Sequence, residues 1–341
     1  MDPTVALRRV AYLLETSRAE SYKVRAFRRA AGTLDETDPK RLATLASSGR
    51  LKDLEGVGDT TARVIAEALA GETPSYLRQL EDEQPATLEG EAAALRRALK
   101  GDCHSHSDWS DGGSPIREMA EAAKALGHEY LALTDHSPRL TIAHGLDPDR
   151  LKSQLEVVAS VNEEMSRDGG QFQLLTGIEV DILEDGSLDQ EEELLAGLDV
   201  VVASVHSKLR MEQAAMTRRM VRAVENEHVD VLGHCTGRIV VGRGRPQSTF
   251  DASEVFGACA RTGTAVEINS RPERRDPPPD LLAVAVEAGC VVTIDTDAHA
   301  PGQLEWLDLG CEQAADAGIT PPQIMNASNL SDFLAWTGSR G

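Results

Sequence analysis

Histidine and carboxylate side chains are the residues of this sequence best suited to carry chemistry. His104 and His106 alternate along one segment, so both imidazoles point to the same side of an extended chain, and Asp297 and His299 have the same spacing. Imidazole mixed with carboxylate and without thiolate suits Zn²⁺, Mn²⁺ or Fe²⁺ and does not choose among them. Two or three such ions could acidify a bound water and stabilise both the attacking and the leaving oxygen of a displacement. The pattern predicts metal-assisted hydrolysis.

The candidate ligands fall at corresponding places in the chain. Each lies just past or near the end of an apolar segment, or in the loop that follows it. Glu179, with two oxygens, is the natural bridge between two ions. We expect Glu179, His206 and Asp297 to be the catalytic residues. The full set of candidate ligands is His104, His106, Asp111, His136, Glu179, His206, His234, Asp297 and His299.

Three histidines are left out of this set. His128 and His228 lie in helix-to-strand connections at the opposite end of the predicted fold, and we interpret both as structural. His144 is ambiguous. A single histidine at a strand end is more often structural than functional, but so many at one edge are hard to explain as satisfied core groups.

Apolar, β-branched segments alternate with amphipathic helices from residue 101 onward, which predicts a parallel sheet buried on both faces. About seven such units favour a distorted α/β barrel over an open sheet, with the candidate ligands at the carboxyl ends of its strands. The predicted strands are Tyr130–Thr134, Gln173–Ile182, Leu198–Val205, Val229–Gly233, Thr264–Ile268 and Val291–Asp295, beside one at Gly101. The predicted helices are Pro115–Leu126, Arg150–Met165, Met211–Glu225, Ala252–Ala260 and Leu281–Ala288.

The sequence that precedes the predicted barrel is organised differently. Residues 1–83 predict a small all-helical domain, residues 84–100 a partly helical linker, and residues 101–341 the barrel. The first 100 residues carry 16 basic and 16 acidic side chains, so the whole net charge of −21 falls on the remainder. Such acidity argues against a nucleic-acid partner for the barrel by itself, although bound cations would offset it locally.

Composition also bounds the cellular setting. The five cysteines are scattered without a CxxC pair, which suits reduced thiols in a cytoplasm. No apolar run approaches the roughly 20 residues of a membrane span, and the N-terminus lacks a signal-peptide core. We therefore expect a cytoplasmic protein with no membrane partner, and the sequence leaves its oligomeric state open.

The motifs around the candidate ligands resemble those of the PHP (polymerase and histidinol phosphatase) family. The match runs from about Lys100 to Trp336 and includes His-Ser-His at 104–106, Thr-Asp-His at 134–136, Gly-Ile-Glu at 177–179 and Asp-Ala-His at 297–299. The resemblance implies a distorted (βα)₇ barrel and a phosphoesterase with three metal sites. The implied ligand sets are His104, His106, Glu179 and Asp297 for one ion; Glu179, His206 and His234 for a second; and Asp111, His136 and His299 for a third.

The subtype that the barrel resembles is the PHP domain at the C-terminus of bacterial family X DNA polymerases. The segment Glu267-Ile268-Asn269 and the text that follows it are similar to loops of that subtype, although the prolines at 277–279 depart from it. Cations beside a metal cluster can hold a phosphoester. The candidate phosphate contacts are Arg139, Lys208, Arg271, Arg274 and Arg275, and a solvated loop cation is an equally good interpretation of any single one.

The N-terminal residues resemble the helix-hairpin-helix domain that opens those polymerases. Gly56, Val57 and Gly58 would let backbone N–H groups approach a DNA phosphate at a helix N-terminus. Two departures matter. Val64 stands where lyase-active members have a Schiff-base lysine, so we predict no deoxyribose-phosphate lyase activity. The sequence between the two domains does not encode a polymerase palm or fingers, so we expect no polymerase activity.

Three functions remain, in order of preference. The first is a phosphoesterase acting on DNA, as a 3′–5′ exonuclease or in 3′-end or abasic-site processing, with the helical domain gripping phosphates. The second is a small-molecule phosphatase of the histidinol phosphatase kind. The third is a non-catalytic DNA-binding scaffold with structural metals. The first two are close, because the helical domain lacks the basic excess of a strong DNA binder.

Overall fold

A computed structural model describes residues 1–83, 88–167 and 171–339 of the chain. The chain forms two compact units, Met1–Thr87 and Leu88–Gly341. Part of the predicted linker, residues 84–87, lies outside the described residues. The rest of that stretch includes a helix at Gly90–Ala98, which packs against a helix of the second unit at Leu307–Asp316.

The first unit is a bundle of short helices with an aliphatic core. Helices begin at acidic or proline-containing caps: Asp2 accepts a hydrogen bond from the N–H of Val5 at 3.0 Å, which satisfies a free donor of the first turn. Leu7, Phe27 and Ile65 from three different helices meet in the core. The helices are α1 (Pro3–Thr16), α2 (Ser21–Asp35), α3 (Pro39–Ser47), α4 (Asp59–Leu69) and α5 (Ser75–Asp82).

The second unit is built around seven parallel strands that hydrogen-bond in chain order. Nearly every strand residue is buried, as expected for a sheet covered on both faces. A parallel bridge between Ser105 and Ala298 brings the end of the last strand back to the first, so the sheet is a nearly closed barrel. The strands are β1 (Gly101–Ser105), β2 (Tyr130–Leu133), β3 (Gln173–Asp181), β4 (Val200–Ser204), β5 (Val231–Leu232), β6 (Ala265–Asn269) and β7 (Val292–Asp295).

Helices surround this barrel and supply its outer core. Met216 and Met220 of one helix, for example, are fully buried among aliphatic side chains of β3 and β4. The helices of this unit are α6 (Gly90–Ala98), α7 (Ile116–Ala125), α8 (Pro148–Arg167), α9 (Glu192–Leu195), α10 (Gln213–Val224), α11 (Ala252–Thr262), α12 (Pro279–Glu287), α13 (Leu307–Asp316) and α14 (Leu330–Gly338).

The predicted fold class, an α/β barrel preceded by a helical domain, is confirmed. The regular part of strand β5, Val231–Leu232, is shorter than its apolar sequence predicted, although the N–H of Asp230 just before it still donates to the carbonyl of Val201 at 3.0 Å. Within the described residues, no helix combines the length and the apolar character needed to cross a bilayer.

Candidate metal centre

The nine predicted ligands converge at one face of the barrel, at or beyond the carboxyl ends of β1 to β5 and β7. His104 lies in β1 and Glu179 in β3, whereas most of the others occupy the loop that follows a strand. Eight of the nine side chains are at most 16% exposed, and only Asp111 reaches 37%. The parallel arrangement explains this convergence, because the carboxyl ends of all the strands lie at the same face of the barrel.

Glu179 lies at the centre of the cluster, with imidazoles on both of its oxygens. Its Oε2 is 2.8 Å from Nδ1 of His136, 3.3 Å from Nε2 of His104 and 3.5 Å from Nε2 of His106. Its Oε1 is 2.7 Å from Nε2 of His234 and 3.1 Å from Nε2 of His206. Each oxygen therefore faces its own set of histidines, three on Oε2 and two on Oε1, which is an arrangement that would suit a carboxylate shared between two cations.

Asp111 and Asp297 complete the arrangement. Oδ1 of Asp111 is 3.4 Å from Nε2 of His136 and 3.3 Å from Nε2 of His299. Oδ1 of Asp297 is 3.3 Å from Nε2 of His106. The backbone of Asp297 has a φ of 53°, a left-handed conformation that is uncommon outside glycine and concentrates at functional sites.

These distances fit shared metal ligands. Donors about 2.1 Å from a tetrahedral ion lie about 3.4 Å from one another, which is close to most of the separations above. Several ring nitrogens are buried without a hydrogen-bond partner, including both of His106 and both of His206. Buried polar atoms are normally satisfied, so orphaned nitrogens facing carboxylates indicate that a cation belongs between them. His/Asp/Glu clusters that fit metal sites thus occupy the predicted place, in four overlapping groups.

The electrostatics keep the carboxylates in their ligand form. Burial by itself would raise the pKa of Glu179, but the surrounding imidazoles, led by His206, hold it well below its usual range. Burial likewise opposes ionisation of Asp297, and the guanidinium groups of Arg271 and Arg274 lower its pKa well below normal. Both groups are therefore ionised at neutral pH, as metal binding demands.

Buried carboxylates outside the predicted set contact the candidate ligands, and this role was not among the sequence-based predictions. Oδ1 of Asp181 accepts a hydrogen bond from the N–H of His206 at 3.1 Å and lies 3.5 Å from its Nδ1. Oε1 of Glu267 lies 2.6 Å from the ring Nδ1 of His104. Asp135 accepts hydrogen bonds from the loop that leads to the ligand at 111. The signal for them was available: each is an acid at a buried strand end, where an isolated charge is costly.

A cavity of about 290 Å³ opens above the cluster. Candidate ligands, among them Asp111 and His299, line this cavity together with Ile239, Arg271 and Arg274. Nη1 of Arg271 is 2.9 Å from Nδ1 of His299. Nε of Arg274 donates to Oδ2 of Asp297 at 3.0 Å, while Nη1 of the same guanidinium is buried without a partner.

The five predicted phosphate contacts therefore differ in whether they line the cavity. Arg271 and Arg274 are brought to the cavity. Arg139 and Lys208 are 68% and 63% exposed, lie near Asp189 and Glu184 respectively, and do not line it. Arg275 follows Arg274 in the sequence, is exposed, and does not line the cavity.

The hairpin of the helical unit precedes α4. Gly56 has a φ of +71°, and a Cβ there would lie 2.6 Å from two side-chain carbons of Arg29. Val57 is buried in the core, whereas a Cβ on Gly58 would meet nothing within 4 Å. Asp59, the next residue, forms an exposed ion pair with Lys52 at 2.7 Å. Gly56 thus serves the turn itself, and Gly58 leaves the backbone before the helix accessible.

Comparison with known proteins decides the family. Residues 102–271 match the PHP domain model and residues 2–74 match a helix-hairpin-helix domain model. A probable phosphatase of Acetivibrio thermocellus is 31% identical over 239 residues, which cover 64% of this chain and 91% of that protein. The chain belongs to the PHP domain family. The prediction of a PHP-type hydrolase with a helix-hairpin-helix domain is thereby confirmed.

Other relatives of this PHP protein divide into two kinds. The DNA polymerase/3′-5′ exonuclease PolX of Bacillus subtilis is 39% identical over 238 residues, or 70% of this chain, but the chain spans only 41% of its length. A probable phosphatase of a Thermoanaerobacter species is 27% identical over 247 residues, covering 68% of this chain and 93% of that protein. A solved histidinol phosphate phosphatase of Lactococcus lactis, complexed with zinc, L-histidinol and phosphate, superposes with a TM-score of 0.46 at 20% identity, covering 65% of this chain and 95% of that one.

Proposed function

We propose that this PHP protein hydrolyses phosphate esters with two or three divalent ions, and that its substrate is DNA, at a 3′ end or an abasic site. The observation that carries the hydrolytic part is the central position of Glu179, whose two oxygens face separate sets of histidines beneath an arginine-lined cavity. A single carboxylate shared in this way holds two ions close enough to act on one phosphate.

The residues of the chain divide the work. His104, His106 and Asp297 hold one side of the cluster with Glu179, and the other ligands hold the second and third positions. Divalent ions, when bound there, supply an acidified water as nucleophile and neutralise charge on the ester oxygens. Arg274 lines the cavity, so its guanidinium group can bind a phosphate oxygen and orient the ester.

Two features support DNA as the substrate. The helix-hairpin-helix match covers most of the first unit, and such hairpins bind phosphate through backbone N–H groups without reading sequence. The relative of Bacillus subtilis that shares 39% identity carries 3′-5′ exonuclease in its name. An enzyme that carries a phosphate-binding domain and a phosphoesterase site in the same chain is suited to a polymeric ester.

A small phosphate monoester is the second candidate. The observations that favour it are the acidity of residues 101–341 and the carboxylate of Asp59 at the start of α4, which competes with a phosphate for the helix N-terminus. Relatives described as probable phosphatases match over nearly their whole length.

Metal analysis followed by a substrate panel tests both. Purified protein is assayed for bound transition metals, then stripped with a chelator and reloaded with Mn²⁺ or Zn²⁺. Substrates are a generic aryl phosphate ester, 3′-labelled and 5′-labelled oligonucleotides, and histidinol phosphate. We expect metal-dependent turnover of the aryl ester and of an oligonucleotide end. Turnover of histidinol phosphate alone would select the second candidate, and no turnover with any metal would refute the hydrolytic proposal.

A further inference from the structure

Two loops form a raised edge beside the cavity. The rim loop, residues 237–250, follows β5, and residues 271–275 follow β6. The rim loop folds back on itself through paired hydrogen bonds between Ile239 and Arg245, at 2.9 and 2.8 Å. The N–H of Val240 then donates to the carbonyl of Glu273 at 2.7 Å, and Nε of Arg238 donates to the carbonyl of Arg274 at 2.9 Å. The two loops are therefore held together by backbone and side-chain hydrogen bonds.

This edge is strongly basic in an otherwise acidic unit. The rim loop contains three arginines and no carboxylate, and residues 271–275 add three more arginines against one glutamate. Arg243 and Arg275 are exposed, and within the described parts of the chain their guanidinium groups form no ion pair. We call the set Arg238, Arg243, Arg245, Arg271, Arg274 and Arg275 the arginine rim.

The cations of the rim repel one another. Burial and then the neighbouring Arg274 lower the pKa of Arg245. Burial is also the main cause of the lowered pKa of Arg238, and Arg275 lowers it further, while Asp276 acts in the opposite direction. Arg271 and Arg274 are paired with Asp297, but Arg243 and Arg275 have no ion pair among the described residues, so an anion bound at this outer part of the rim would lower the free energy of the charge cluster.

We propose that the arginine rim binds successive phosphates of a single-stranded polynucleotide whose terminal ester lies in the cavity. This inference rests on the proposed phosphoesterase function and names its substrate class as polymeric. Arg271 and Arg274 line the cavity and suffice for one phosphate, whereas Arg243 lies at the tip of the rim loop and does not line it. A cation placed beyond the cavity has a use only if the substrate extends beyond it.

Binding of an uncleavable phosphorothioate oligonucleotide tests the rim through Arg243. In Arg243→Gln, we expect affinity at about 0.1 M salt to fall about fivefold, and the slope of log affinity against log salt to fall by about 0.7, since that is the contribution of one phosphate contact on a single strand. Arg243→Glu should weaken binding further, and Arg243→Lys should restore it. Turnover of the aryl ester should stay at the wild-type level. The matched control is Arg261→Gln on α11, whose side chain is 65% exposed near Glu225.

Cross-linking gives a second, independent measurement. All five native cysteines are buried, so Arg243→Cys introduces an exposed thiol that a photo-crosslinker can label selectively. We expect a bound oligonucleotide to cross-link from position 243 and not from Arg261→Cys. Unchanged affinity and slope together with no cross-link would overturn the rim, and so would failure of the wild-type chain to bind any oligonucleotide. Absence of aryl ester turnover in the wild-type chain, with any metal supplied, would instead refute the proposed function.

Discussion

Oε1 of Glu267 lies 2.6 Å from Nδ1 of His104, and both side chains are fully buried. The second oxygen of the same carboxylate accepts a hydrogen bond from the backbone N–H of His234 at 2.5 Å. Because Nε2 of His104 faces Glu179, the proton of the neutral imidazole belongs on Nδ1, where Glu267 accepts it. One carboxylate thus fixes the tautomer of one predicted ligand and the backbone of another.

Replacing Glu267 by Gln should weaken metal binding. The amide keeps the size of the side chain but accepts less strongly from Nδ1 of His104, so the imidazole loses both orientation and basicity. We expect about a 10- to 100-fold loss of metal affinity, measured by competition with a chromogenic chelator. Glu287→Gln, an exposed site at the end of α12, is the control. Equal metal affinity in the two variants would show that Glu267 has no positioning role.

Glu179→Gln should abolish hydrolysis of a generic aryl phosphate ester while the fold is retained. An amide offers one oxygen in place of two and cannot bridge two cations. Since loss of a supporting group alone typically costs about 10- to 100-fold, loss of the bridge should exceed about 100-fold in turnover. Circular dichroism checks the fold, and Glu193→Gln on α9 serves as the exposed control. Turnover near the wild-type level in Glu179→Gln would remove the two-ion mechanism.

His128 should make the barrel acid-labile. Burial, helped by the charge of Arg96, lowers its pKa to about 3, and neither ring nitrogen has a hydrogen-bond partner. Between pH 6.5 and about 3 the unfolded chain therefore binds a proton that the folded chain refuses, so stability falls as pH falls, by about 1.4 kcal/mol per pH unit.

The variant His128→Leu should lack this component. We expect its free energy of unfolding to fall by about 2 kcal/mol less than that of the wild type between pH 7.5 and pH 5. Urea titrations with a chelator present measure this without a contribution from metal loss at low pH. Parallel pH dependence in the two proteins would mean that His128 is protonated in the folded state as easily as in the unfolded one.

Gly58 offers the cleaner test of DNA binding by the helical unit. A Cβ at Gly56 is strained by its positive φ and collides with Arg29, whereas Gly58 has open space around it. Gly58→Val should therefore preserve folding but keep the backbone away from a phosphate. We expect DNA affinity to fall about tenfold, the equivalent of one hydrogen bond to a charged group.

Gly32→Val is the matched control for this change, because a Cβ at Gly32 on α2 would also meet nothing within 4 Å. Fluorescence anisotropy with a short duplex measures both variants, and thermal melting checks that both units remain folded. Identical affinities would favour a small-molecule substrate or a protein partner for the hairpin.

Val64 should exclude Schiff-base chemistry. Its side chain is fully buried in the core of the helical unit, and it carries no amine. Borohydride should therefore trap no covalent adduct between this chain and an oligonucleotide that contains an abasic site. A trapped adduct would reveal a lyase nucleophile elsewhere in the chain.

The sequence alone determined the architecture and the membership of the cluster. Alternation of apolar segments with amphipathic helices specifies a buried parallel sheet, and such sheets gather the ends of their strands on one face. The sequence position of a histidine or acid at a strand end, such as His206 or Glu179, therefore predicts the face of the barrel at which it lies. That is why ligands far apart along the chain, such as His104 and Asp297, could be predicted together.

Only the tertiary structure decided how these groups face one another. The division of Glu179 between two sets of histidines depends on strand register and side-chain rotamers, which no local pattern encodes. The same holds for Glu267, which contacts a ligand 163 positions away, and for Arg271 and Arg274, which reach the cavity while Arg139 points to solvent. Long-range geometry of this kind arises from packing. Residue type therefore predicts the candidate site residues, and the tertiary structure determines which of them reach the site.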